Sequence, residues 1–170
     1  MDNKQATSIQ NDLIYTAELA YLAGIIDGEG WIGLQKRLQK RWITYKPALR
    51  VTNTDANIIN KVRQVWEVIG VDGHIYENDQ DPSVTNGKQI MNIQLNKQTD
   101  ILRVLLAVEP FLVGKRARAQ MLIRFLTKSI DREEAYQFIR TANKKGLRES
   151  SETTREAPDS HLVEDMAQTA

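Results

Sequence analysis

Leu22-Ala23-Gly24-Ile25-Ile26-Asp27-Gly28-Glu29-Gly30 joins a helix face that suits close packing to an acid at the helix end. Gly24 and Gly28 stand four apart, so they share one face, and without Cβ atoms they let another backbone approach closely. That helix therefore calls for a partner helix. Glu29, between Gly28 and Gly30, falls where the helix ends and exposes its carboxylate beyond the backbone. The macrodipole disfavours an acid at a carboxyl terminus, which points to a role for it there. A phosphate-cradling loop is the obvious rival, but Gly24-xxx-Gly28-x-Gly30 is not G-x-G-x-x-G. It also ends a helix where such a loop begins one, so no nucleotide cofactor is expected.

Working outward, Leu13, Ala17, Ala20, Tyr21, Gly24 and Ile25 keep helical spacing and predict a helix from about Leu13 to Gly28. Alternation follows. Ile32, Leu34 and Leu38 turn one way and Gly33, Gln35, Arg37 and Gln39 the other, which is a strand. A second strand carries Pro47, Leu49 and Val51 inward and Lys46, Ala48, Arg50 and Thr52 outward, with Pro47 suited to an edge or strand start. Thr54 or Asp55 can cap a helix from Ala56 that Gly70 ends. Another strand pair fits His74 to Asn78 and Lys88 to Leu95, across a turn-rich stretch. Three helices follow, near Thr99 to Val108, Pro110 to Thr127 and Asp131 to Ala142. Trp31, Trp66 and Phe111 are assigned to the core, and His74 to the top of a strand.

This is an α+β plan, an αββαββα core with an antiparallel sheet covered by helices on one face. The 170 residues, 41% of them hydrophobic, fit one domain over 1–146 and a polar, acidic C-terminal tail over 147–170. The tail holds too few apolar residues to bury much.

The net charge of +1 averages unlike parts: Glu149 to Ala170 contains six acids and one base, leaving 22 bases and 16 acids in residues 1 to 148. Six bases and no acid lie between Gly30 and Thr54, and Lys115, Arg116, Arg118, Arg124 and Lys128 repeat the pattern. Single-sign segments in a globular body suit a polyanion. Alternate residues on a strand face are about 6.6 Å apart, and two base steps of DNA span about 6.8 Å, so a strand can follow a groove. Gln35, Arg37, Gln39, Lys46, Arg50, Tyr76, Asn78, Asn92 and Gln94 would project from the exposed faces. Their amides and guanidiniums suit bidentate contacts to purines.

Other chemistries are excluded. There is no cysteine, so disulfide frameworks, thiolate zinc sites and cysteine nucleophiles are absent; His74 and His161 are too few for a histidine metal cluster. The longest apolar run is interrupted by Arg103 and the amino terminus is polar, so no membrane span or secretory signal is expected. The expected setting is intracellular, in cytoplasm or an organelle matrix.

LAGIIDGEG resembles the LAGLIDADG motif of homing endonucleases and occurs once. The order of elements from about Leu13 to Lys128 is similar to that family's core, as are Val51-Thr52-Asn53-Thr54-Asp55, Ile69-Gly70-Val71 and Glu109-Pro110-Phe111-Leu112 with Lys115. The resemblance implies a saddle-shaped DNA-binding sheet and a homodimer, because single-motif members pair their motif helices whereas two-motif members are longer monomers. The dimer interface would take Leu22, Gly24, Ile25 and Gly28. Glu29 corresponds to the motif's last acid, with glutamate where aspartate is usual, and with the Gly30 carbonyl and DNA phosphates it would hold Mg²⁺, or Mn²⁺ in substitution. Lys115 matches a basic residue near the scissile phosphate and Asn53 a polar residue that positions water; Asn57 stands where some relatives carry a base. The implied activity is an intron-homing, site-specific double-strand break with 3′ overhangs, cut across the minor groove of a near-palindromic site. The alternative on the same fold is a non-cleaving RNA maturase or DNA-binding regulator. An interaction module using the helix face alone leaves the basic strands unexplained.

Overall fold

A computed structural model of the protein describes residues 3–39, 41–78 and 89–145. The elements are α1 (Asn3–Glu29), β1 (Gly30–Gln39), β2 (Trp42–Asn53), α2 (Ala56–Ile69), β3 (His74–Asn78), β4 (Ile90–Leu95), α3 (Gln98–Val108), a 3₁₀ turn (Glu109–Phe111), α4 (Arg116–Leu126) and α5 (Arg132–Lys145). The expected α+β order is present. The acidic segment expected over 147–170 lies outside the described residues. No helix among the described residues is long and apolar enough to cross a membrane.

The four strands form one antiparallel sheet in the order β1-β2-β4-β3, so the two hairpins meet along β2 and β4. Ile32, Leu49, Val51, Ile93 and Leu95 face inward and are buried against Leu22, Ala23 and Ile26 of α1, Ile59, Val62 and Trp66 of α2, and Ile101, Val104 and Leu105 of α3. No helix among the described residues covers the opposite face. Pro47 pairs with Leu34, beyond the stretch where β4 joins at Leu49. Its missing N–H thus falls where β2 has one neighbour.

Caps set the helix ends as the residue types require. The Asp55 carboxylate accepts the Asn57 N–H at 2.8 Å and starts α2. Gly70, at φ 81°, ends it in the left-handed conformation.

Four expectations are corrected. Leu38, expected inward with Ile32 and Leu34, is 75% exposed, because the β1–β2 hairpin runs past the helices that cover its base; Ile43 opposite it is exposed too. The single helix expected over Pro110 to Thr127 is broken, with the 3₁₀ turn and α4 separated by Leu112 to Lys115. Trp31, assigned to the core, is half-buried on the outer face; Trp66 is fully buried and Phe111 packs at the core's margin. Helix α1 also starts ten residues earlier than expected, at Asn3.

Candidate functional site

α1 is apolar on both sides. Leu19, Leu22, Ala23 and Ile26 are buried in the chain's own core. Leu13, Ala17, Ala20, Tyr21, Gly24 and Gly28 form an exposed stripe opposite; among the described residues, nothing beyond the helix's own neighbouring backbone lies within 4 Å of where a Cβ would stand at either glycine. A helix with two apolar faces belongs in an interior, and here one face has no cover among the described residues. Ile25 lies between the two faces, partly buried. Leu22 is corrected: it is roughly 160° around the helix from Gly24 and fully buried, so it has no surface for a partner.

The helix gives way to β1 within one residue. A Cβ on Gly30 would lie 2.6 Å from the Ile26 carbonyl oxygen, a backbone atom that cannot move aside, so only glycine permits this turn. Glu29 is left exposed at the turn, and its carboxylate accepts no hydrogen bond among the described residues.

The chain segment Leu112 to Lys115 is fastened against that same helix end. The Asp27 carboxylate accepts the N–H of Val113 at 2.7 Å and of Lys115 at 2.8 Å. The Lys115 ammonium donates to the carbonyls of Ile26 at 2.8 Å, Asp27 at 2.7 Å and, more weakly, Gly28 at 3.4 Å. These carbonyls are the orphan acceptors of a helix terminus, and a cation there offsets the negative end of the macrodipole. Burial, and then the nearby Arg118, lower the Lys115 pKa, while Asp27 and Glu29 raise it. Because three acceptors surround the nitrogen, the ammonium is the form they accommodate. Burial also lowers the Arg118 pKa, opposed by Asp27; its guanidinium donates to Asn143, which in turn donates to the Ile32 carbonyl.

Asn53 ends β2, two residues beyond Val51, the partner of Gly30, so it lies at the same end of the sheet as Glu29. Its side-chain oxygen accepts the Asp55 N–H at 2.9 Å, leaving the amide donors for other partners. The structure thus joins Lys115 directly to the end of α1 and puts Asn53 near it by register. Asn57 uses its N–H in the α2 cap.

On the outer face, Gln35, Arg37, Gln39 and Lys46 are exposed and Arg50, Tyr76 and Gln94 half-buried. Arg37 donates to the Gln35 oxygen and Tyr76 to that of Gln94, both at 2.9 Å. A hollow of about 590 Å³ is lined by Gln35, Arg37, Lys46, Ala48 and Gln94 among others. Asn92 is corrected: only 1% exposed, it accepts from the Thr52 hydroxyl at 2.6 Å and offers nothing to solvent. The side chain of Asn78 lies outside the described residues.

No cluster of three or more histidine, cysteine, aspartate or glutamate residues exists among the described residues. Asp27 is committed to two backbone amides, so among the described residues the carboxylate left uncommitted at the α1 terminus is that of Glu29. Such a donor fits Mg²⁺, which binds through one or two carboxylates with phosphate oxygens and retained water.

Residues 16–106, more than half of the chain, match the model of the LAGLIDADG-like domain, and the chain belongs to that family. Its fold is similar to the homing endonuclease I-CvuI in complex with its target in the presence of Ca. The TM-score is 0.61 and the identity 17%, over 76% of this chain and 83% of that one. I-CvuI with the I-CreI target in Mg, its DNA not cleaved, matches with a TM-score of 0.56 and 19% identity, over 67% of this chain and 68% of that one. The homing endonuclease I-TnaI matches with a TM-score of 0.54 and 14% identity, over 75% of this chain and 97% of that one. At such identities the likeness is one of fold. No curated protein matches the sequence.

Proposed function

We propose that the chain is a homodimeric, site-specific DNA endonuclease of the homing type that makes a double-strand break with 3′ overhangs at a long, near-palindromic site. One observation carries the reading: α1 is apolar on both faces, its free face bears Gly24 and Gly28, and it ends in the uncommitted Glu29 carboxylate. Two copies packed along that stripe, through Gly24, Ile25 and Gly28, bring two Glu29 residues together beneath one duplex. Each strand of a duplex needs its own cleavage centre, and a twofold pair supplies two.

Glu29, with the Gly30 carbonyl, would hold Mg²⁺ or Mn²⁺ against the scissile phosphate. The bound metal supplies Lewis-acid activation of water and stabilisation of the leaving oxygen. Lys115 acts by neutralising the carbonyl end of α1, so that carboxylate and phosphate can share that end. Asn53, with its oxygen used in the α2 start, offers its amide donors to water or phosphate. Gln35, Arg37, Gln39, Lys46, Arg50, Tyr76 and Gln94 follow a groove of the duplex on the outer sheet face.

The direct experiment is incubation with a randomised near-palindromic duplex pool in Mg²⁺, with end-mapping of the products. Cuts on both strands with 3′ overhangs are the expected result. A second reading, a non-cleaving RNA maturase or DNA-binding regulator, is favoured by the engagement of the Lys115 ammonium with three carbonyls. Tight, sequence-selective binding with no cleavage in Mg²⁺ or Mn²⁺ would select it.

A further inference from the structure

Beside Glu29, the outer face of β1 and β2 pairs Arg50 with Trp31, a residue to which the proposed function gives no role. Trp31 lies two residues after Glu29, and its indole is folded down onto Gly33. A Cβ at Gly33 would stand 1.9 Å from both Cη2 and Cζ2 of the ring, so only glycine leaves room for it. Trp31 faces Arg50 across the strand pair, and the guanidinium carbon sits 5.5 Å from the ring centroid, within cation–π range. The Arg50 Nε is buried without a hydrogen-bond partner. No hydrogen bond among the described residues engages the rest of the group, so the π face is what holds it. The row across the sheet at this level is Trp31, Arg50, Gln94 and His74, with no acid to take the arginine's donors.

We propose that Trp31, seated on Gly33, positions the Arg50 guanidinium for a guanine edge near the cleavage centre, making specificity there depend on the tryptophan as well as the arginine. A guanidinium presents two parallel donors to the O6 and N7 acceptors of guanine, and one already held in place gives up less freedom on contact. Trp31 is then a positioning residue whose effect passes through Arg50. The inference rests on the DNA-binding reading of this face.

The test is a double-mutant cycle on binding in Ca²⁺. The probe is a duplex recovered by the wild-type protein from a randomised near-palindromic pool, and thermal melting of each variant tracks folding. Arg50→Ala should weaken binding by about tenfold and relax preference at one base pair of each half-site. Trp31→Leu should weaken it by roughly fivefold and relax the same base pair. The double variant should be within about twofold of Arg50→Ala alone, since a support matters only while its load is present. Gly33→Ala, whose methyl displaces the indole, should behave like Trp31→Leu; Trp31→Phe, which keeps a ring, should lose less and serves if either of those fails to fold. Independent effects of Trp31→Leu and Arg50→Ala would overturn the inference and leave the DNA-binding face intact. An Arg50→Ala protein that binds and discriminates like wild type would overturn the reading of the face, and the inference with it.

Discussion

Asp27 and Lys115 hold each other twice: the Asp27 carboxylate accepts the Lys115 backbone N–H at 2.8 Å, and the Lys115 ammonium donates to the Asp27 carbonyl at 2.7 Å. The pair locks the end of α1 to the start of α4, where Glu29 emerges. Asp27→Ala leaves the N–H groups of Val113 and Lys115 unpaired and frees the loop that carries the lysine. Hydrogen bonds to a charged group contribute about 1.5–3 kcal/mol, so a loss of stability of that order is expected in urea unfolding. Cleavage should fall further than this accounts for, because the lysine leaves the helix end. A variant of unchanged stability would show that the clamp carries no load.

Gly24→Leu separates folding from assembly. The site is open among the described residues, so leucine meets no other described element there, and replacing glycine in a helix is worth up to about 1 kcal/mol. The variant should melt no lower than wild type as a subunit. It should sediment as a monomer and lose cleavage, since the added side chain holds two helices apart. A variant that remains dimeric and active would put the interface elsewhere.

Glu133 gives α5 an acid-sensitive attachment. Its carboxylate accepts from Lys36 at 2.7 Å, from the Tyr45 hydroxyl and from Gln137, and these bonds, Lys36 first, hold its pKa at about 2, below the ordinary 4.5. A depressed carboxyl contributes stability above pH 4.5 and loses it as pH falls through 2. Glu133→Gln should remove that part of the acid sensitivity and leave the rest of the profile unchanged. Because the pair is solvent-accessible, high salt should shrink the difference. Identical acid unfolding of the two proteins would contradict the attachment.

The helix, the hairpins and the order of elements were legible because each rests on local periodicity. What was not legible depended on neighbours. Leu13, Ala17, Tyr21 and Gly24 keep a helical period, yet that stripe is the exposed one, and an all-apolar helix does not say which face its own chain covers. Alternation puts Trp31 on the outward side with Gly33 and Gln35; it is the size of the indole that argues for a core place, and the empty site at Gly33 that resolves the conflict. Leu38 keeps its inward phase but outruns the helix layer. Asn92 keeps its outward phase, but the cover that buries it comes from adjacent strands. The break before α4 is set by Asp27, more than eighty residues earlier, so the local text from Pro110 reads as continuous helix. Asp27 itself had a signal, an acid in the last turn of a helix, but its partners did not.

The most direct test of the account is cleavage by Glu29→Gln measured beside DNA affinity. The change keeps the side chain's size and removes the anionic charge that would hold Mg²⁺, while the outer sheet face is untouched. Cleavage in Mg²⁺ should fall by at least about a hundredfold, roughly 2.7 kcal/mol or more of barrier. Binding in Ca²⁺ should persist or tighten slightly, and Glu29→Asp should retain part of the cutting. Near-normal cleavage by Glu29→Gln would contradict the account, leaving Glu29 as a helix-end residue with no part in the chemistry.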